Sequence, residues 1–133
     1  MAEEKGFADL GKQLAELGIT FDELKQRVKE IPEDKKRNIL VGFANTILSS
    51  KPDDAFLAAK EANDDILMKT ASRKLLEGNL RLASKVAMSS EDEDLMEIVI
   101  DEATRRGDSI TAEIVRRHLK ENRLRKISKE FGI

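Results

Sequence analysis

Apolar residues recur every three to four positions along almost the whole chain, the spacing of helices that each bury one face. Over residues 3–17, Phe7, Leu10, Leu14 and Leu17 fall on one stripe, which stops at Gly18. Thr20 and Glu23 have the spacing of a capping box, in which hydroxyl and carboxylate satisfy each other's backbone donors, and open a second helix with Phe21, Leu24 and Val28. Pro32 ends that helix. A third, over 33–49, carries Ile39, Leu40, Phe43, Ala44, Ile47 and Leu48. Pro52 suits the first turn of a short fourth helix around Ala55 to Ala62, because a missing N–H costs nothing there. Asn63 or Asp64 caps a fifth helix with Ile66, Leu67, Ala71 and Leu75, which Gly78 and Asn79 terminate before a sixth over 80–88.

Ser90 and Glu93 repeat the capping-box spacing ahead of a seventh helix with Leu95, Ile98, Val99 and Ala103, closed by Gly107. Asp108 opens the eighth. Its series Ile110, Ala112, Val115, Leu119 loses phase before Leu124, Ile127 and Phe131. That predicts a bend or break near Asn122 which sets 121–133 apart as a C-terminal helix or tail. The expected fold is all-α: about eight helices as stacked antiparallel hairpins beginning near residues 3, 33, 64 and 91, either a short solenoid or a compact bundle.

Composition agrees with that class. The 133 residues include 2 Pro, 7 Gly, 5 Phe and no Trp or Tyr, so the aromatics that favour strands are scarce. At 15.0 kDa the length fits a single domain over 1–133. No Cys means no disulfide framework, thiolate site or Cys nucleophile, as expected of a cytoplasmic chain. The acidic start "MAEEKGFADLGKQ" lacks the pattern of a signal peptide, and "ILVGFA" at Ile39 to Ala44 is too short to span a bilayer, so no membrane role is expected.

Two turns are alike. "GNLRLA" at Gly78 and "GDSITA" at Gly107, 29 residues apart, each close a helix with Gly, open the next with Asn or Asp, and place a small Ala five positions on. These residues resemble the turn of tetratricopeptide-like repeats. The resemblance covers Asp65 to about Leu119 and lacks the family's aromatic and Pro positions. It implies an antiparallel helical array whose concave face binds a peptide or partner protein.

Charge changes the picture most. The net −2 hides a segregation: residues 1–90 are balanced, "EDEDLMEIVIDE" at Glu91 to Glu102 carries seven acidic residues and no basic one, and 103–133 carry nine basic against four acidic. Arg116, Lys120, Arg123 and Lys126 form one stripe in an unbroken helix, facing either an acidic partner protein or nucleic-acid phosphates. An antiparallel turn at Gly107 and Asp108 instead sets Asp94 beside Glu121 and Asp92 beside Arg123, so that the two blocks neutralise each other. Partner contacts are expected at Arg116, Lys120, Arg123 and Lys126 with Glu93 and Glu97 opposite. Self-association is expected at Leu124, Ile127 and Phe131, which are out of phase with the helix before them.

No catalytic constellation emerges. "GFADLGKQ" comes close to a phosphate-binding loop, but Gln13 replaces the magnesium-holding hydroxyl, Asp9 repels phosphate, and no strand fits before Gly6. His118 is the sole histidine, reads as a surface or boundary residue, and with Glu121 supplies at most two metal ligands where a catalytic zinc needs three. The acidic run has no glycine for a calcium loop and suits a helix N-terminus. No cofactor, metal or catalytic residue is assigned. The expected function is a non-catalytic adaptor or regulatory module for a protein partner, able to form a homo-oligomer, with a nucleic-acid regulator as the alternative.

Overall fold

The computed structural model describes residues 2–133, with side chains from Gly6 onward; the acidic opening residues read above lie outside the described side chains. Among the described residues there are eight α-helices and no strand: α1 (Ala2–Glu16), α2 (Phe21–Arg27), α3 (Glu33–Ile47), α4 (Pro52–Glu61), α5 (Asp65–Gly78), α6 (Leu80–Ser89), α7 (Glu93–Arg105) and α8 (Ser109–Phe131). The all-α class is as expected. The chain divides, within α5, into two compact units, Met1–Lys74 and Leu75–Ile133.

Most helix starts follow from the cap residues in the sequence. Thr20 Oγ1 accepts the Glu23 N–H at 3.2 Å, Asp64 Oδ1 that of Leu67 at 3.1 Å, and Asp108 Oδ1 that of Thr111 at 3.1 Å. Asn79 accepts from both Arg81 and Leu82, and Pro52 takes the first turn of α4. The start of α7 is a correction. Its cap is Asp92, whose Oδ1 accepts the Leu95 N–H at 3.0 Å. The Ser90 hydroxyl donates backwards to Val86 O at 2.6 Å and finishes α6 instead.

One turn design recurs three times. Asn63, Glu91 and Gly107 are left-handed, and the Asp after each donates its N–H back across the finished helix, at 3.0 Å to Ala59 O, 3.1 Å to Ala87 O and 2.8 Å to Ala103 O. Each Asp then caps the next helix. Gly78 and Gly107 therefore sit in different turns: Gly107 has φ +77°, whereas only Asn79, and no left-handed residue, stands between α5 and α6.

In the first unit α1 lies on α3 rather than forming a hairpin with α2, α3 packs on α4, and α2 on α4. Glycine sets the α1/α3 contact. A Cβ at Gly11 would stand 2.1 Å from Ile39 O, and one at Gly42 would stand 2.2 Å from Ala8 O, so the two backbones touch where neither helix has a side chain. This turns the buried face of α1 part-way round from the expected stripe, of which Leu14 stays half-buried. Gly11 and Ala15 are buried, while Leu10 is 37% and Leu17 77% exposed. Phe7 is half-buried under the Lys35 ammonium, 5.6 Å from its ring centre. The core is filled by Phe43, Phe56, Ile39, Leu40 and Leu24. The Asp54 carboxylate accepts the Phe21 N–H at 3.3 Å, and its burial pushes its pKa up.

In the second unit α7 and α8 form the expected hairpin, and α6 packs on both. Its core is Leu75, Leu95, Met96, Val99, Val115 and Leu119, with Ala83, Ala87, Ala103 and Ala112 between them. The break expected near Asn122 is absent: α8 is continuous for 23 residues, to a left-handed cap at Gly132.

Two outcomes check these points in chemical denaturation. Gly11→Ala should cost at least about 1–3 kcal/mol by overpacking the α1/α3 contact. Gly6→Ala, with open space around it, should be neutral or stabilising by up to about 1 kcal/mol; equal effects at the two sites would refute the close approach. Glu91→Gly should stabilise by about 0.5–1 kcal/mol, because an L-residue is penalised in the left-handed region by more than glycine's lost freedom costs. Glu91→Ala should bring no such gain.

Candidate protein-interaction surface

The acidic start of α7 and the basic second half of α8 meet in the hairpin. Glu93 is the centre: Oε2 accepts from Asn122 Nδ2 at 2.8 Å and Lys126 Nζ at 2.5 Å, and Oε1 accepts from Arg123 Nε at 3.3 Å. Arg123 also reaches Glu97 Oε1 at 2.5 Å, and Arg125 lies 3.8 Å from Glu91. The lysine hydrogen bond first, then that of Arg123, holds the Glu93 carboxyl below its ordinary value, while the hydrogen bond to Glu97 first, then that to Glu93, raises Arg123. Asn122 is buried at the end of the apolar stripe of α8, with its amide donating to Glu93.

Four of the six residues expected to face a partner, Glu93, Glu97, Arg123 and Lys126, are thus brought together and paired within the molecule. Arg123 meets Glu93, one position from the anticipated Asp92. Arg116 pairs with Glu113 on its own helix at 3.2 Å, and Lys120 has no ion pair among the described residues. Glu102 is held between Arg105 and Arg106, with Arg105 the stronger cause of its lowered pKa. His118 is half-buried at the edge of the core, and its Nε2 is enclosed without a hydrogen-bond partner. "GFADLGKQ" is helical throughout, and its Gly11 serves the contact with α3. Among the described residues, no three His, Asp or Glu side chains converge to hold a metal ion.

What sequence reasoning missed is the outer face of α8. Ala112, Val115, Leu119 and Asn122 point into the unit. On the opposite side Ile110 is 73%, Ile114 52%, Leu124 46% and Phe131 71% exposed, with Ile127 beside them. Ile110, assigned from its spacing to the buried series, belongs to this outer face. A hollow of about 620 Å³ lies beside it at the α7/α8 turn, lined by Thr104, Gly107, Ser109, Ile110 and Ile114 among others. A smaller groove of about 150 Å³ runs between α6 and α8, where Met88, Ile110 and Ile114 are flanked by Arg81 and Lys85. The signal for this face was present in the sequence as apolar residues that fit no single stripe.

Comparison with known proteins returns no match: no family model matches the chain, and no curated protein or solved structure matches it significantly. No described helix is long and apolar enough to cross a membrane.

Because the Glu93 pKa is depressed in the folded state, the stabilisation it brings is present above the ordinary carboxylate value of 4.5 and is lost as pH falls through the depressed one. Glu93→Gln should therefore lower the melting temperature at neutral pH and low salt, by an amount that shrinks in acid and in 1 M salt, where the screening length is about 3 Å. A melting difference independent of both pH and salt would show that Glu93 acts through shape alone.

Proposed function

We propose that this chain is a non-catalytic interaction module that binds another protein chain through the outer apolar face of α8. The observation that carries this reading is a helix already buried along one side that presents Ile110, Ile114, Leu124 and Phe131 to solvent along the other. Scattered exposed apolar residues are ordinary on protein surfaces, whereas an aligned row on one helix has the form of a helix-packing surface.

The charges favour a protein over a nucleic acid as the ligand. Phosphate binding needs cations free to replace counterions, and Arg123 and Lys126 are engaged by Glu93 and Glu97. Arg116 is likewise paired with Glu113. The outer face is apolar at its ends, with one cation and one anion, Arg117 and Glu121, between them, and Lys120 is left at its margin.

A photo-reactive amino acid placed at Ile114 or Leu124 should give discrete protein adducts in a cell extract, while the same group at the exposed Lys29 should not. Adducts absent from both α8 positions, or equal at all three, would overturn the reading. Steep, salt-sensitive binding of DNA or RNA at low salt, lost on Arg116→Glu or Lys120→Glu, would favour the nucleic-acid alternative.

A further inference from the structure

The outer face of α8 has a stricter order than exposure alone conveys. Ile110, Ile114, Arg117, Glu121, Leu124, Ser128 and Phe131 follow one another at alternating steps of four and three, the seam of a coiled coil. The helix is continuous through all of them, so they form one row of about 31 Å at 1.5 Å per residue. Six of the seven are exposed and Ser128 is half-exposed. The two charged residues stand together in the middle of the row, with apolar ones on either side.

We infer that the occupant of this face is a second copy of the chain, docked antiparallel through α8 about a two-fold axis. The inference rests on reading the face as a protein-binding surface and adds what binds there. A two-fold contact brings the same patch from both molecules together, so the patch must complement itself. With the α8 helices antiparallel and centred between Arg117 and Glu121, Arg117 of each copy meets Glu121 of the other. Ile114 of each then meets Leu124 of the other, and Ile110 meets Ser128. Every unlike charge is paired, and the bulky apolar residues of the inner layers face one another. A parallel dimer would set Arg117 on Arg117 and Glu121 on Glu121, and like charges in the seam exclude it. Sliding the antiparallel pair by one heptad puts Glu121 against either Ile110 or Leu124 and leaves the charge without its counterpart.

A second feature falls into place in the same register. Counted on past the start of α8, Phe131 of one copy falls level with Gly107 of the other, one of the residues that line the hollow at the α7/α8 turn. Phe131 is among the most exposed apolar side chains of the second unit, and the hollow, about 620 Å³ with Ile110 and Ile114 in its wall, is large enough for its ring. Each copy thus offers both the aromatic and its receptacle. The Arg117 guanidinium, 79% exposed and held on one side by Glu113, keeps N–H groups for a carboxylate from across the axis.

Sedimentation of the purified full chain tests this. At about 0.1 mM, where a micromolar association is nearly saturated, the wild type should sediment at twice 15.0 kDa. Arg117→Glu and Glu121→Arg should each yield the monomer, and the double exchange should restore the dimer. Both positions are exposed, so the variants keep the fold, which circular dichroism verifies. The chain has no Cys, so a mixture of Ile114→Cys and Leu124→Cys chains should form an intermolecular disulfide under mild oxidation that neither forms alone. A wild-type monomer at every concentration overturns the second copy as occupant; adducts with other proteins from Ile114 would then leave the interaction module standing, and their absence would remove both. A dimer unaffected by either single exchange, a double exchange that stays monomeric, or a disulfide formed by Ile114→Cys alone overturns the antiparallel seam.

Discussion

The rotation of α8 about its own axis is the constraint on which the candidate surface depends. The helix carries two apolar stripes on opposite sides, and only one can lie on α6 and α7. The stripe that is buried, Ala112, Val115, Leu119 and Asn122, is uncharged and has the smaller side chains, whereas the exposed one holds Arg117, Glu121 and Ser128 among its Ile, Leu and Phe. Burying the other would gain about 1.5–3 kcal/mol for each Ile, Leu or Phe but would take Arg117 and Glu121 out of water as well, which costs more. The exposed ion pairs at Glu93 and Glu97 add little to that choice, because they are strongly screened. Close packing supplies the remainder. Ala83, Ala87 and Ala103 leave little room between the helices, so Ala112 and Val115 fit where Ile110 and Ile114 would overpack. The carboxylate of Glu93 then selects the register along the axis, because it accepts the N–H of the buried Asn122 amide, whose oxygen accepts from Arg125.

The contact of α1 with α3 follows the same logic with the sizes reduced further. Gly11 and Gly42 remove the side chains at the point of approach, and two helical backbones meet where leucines would hold them apart. The consequence is the exposure of Leu17 and, in part, Leu10. In both units the face that packs is therefore chosen by fit before hydrophobicity. An interior packed to crystal-like density makes that the expected order of priorities.

This is also why the sequence was legible in some places and not in others. Thr20, Pro52, Asp64, Asn79 and Asp108 announce helix starts because capping is local chemistry, readable from a few residues. At α7 two candidates overlapped, and Asp92 took the cap while Ser90 closed α6; a left-handed Glu91 between them has no sequence signature. Apolar periodicity weighs Leu10 and Leu17 above Gly11 and Ala15, so it set the buried face of α1 off to one side, keeping Phe7 and Leu14 but missing the glycine contact. The partner of α1 was illegible for a related reason. Short loops favour sequential hairpins, and only the glycines at the contact override that preference.

The candidate surface was half legible. Segregation of acidic from basic residues put Glu93 opposite Arg123 to within one position, since a tight antiparallel turn fixes which residues are level. The loss of phase after Leu119 was ambiguous, because a broken helix with one stripe and a continuous helix with two produce the same string of residues. Continuity decides between them, and it changes the meaning of Leu124 and Phe131 from a separate tail to part of a row that begins at Ile110. That row has apolar ends and an Arg–Glu centre. In the proposed contact its apolar positions would supply affinity, and Arg117 and Glu121, costly to bury against the wrong partner, would supply orientation. A helix that buries its uncharged side and leaves Ile110, Ile114, Leu124 and Phe131 in water keeps that apolar area solvated at some cost, and a complementary surface laid on it would remove the cost.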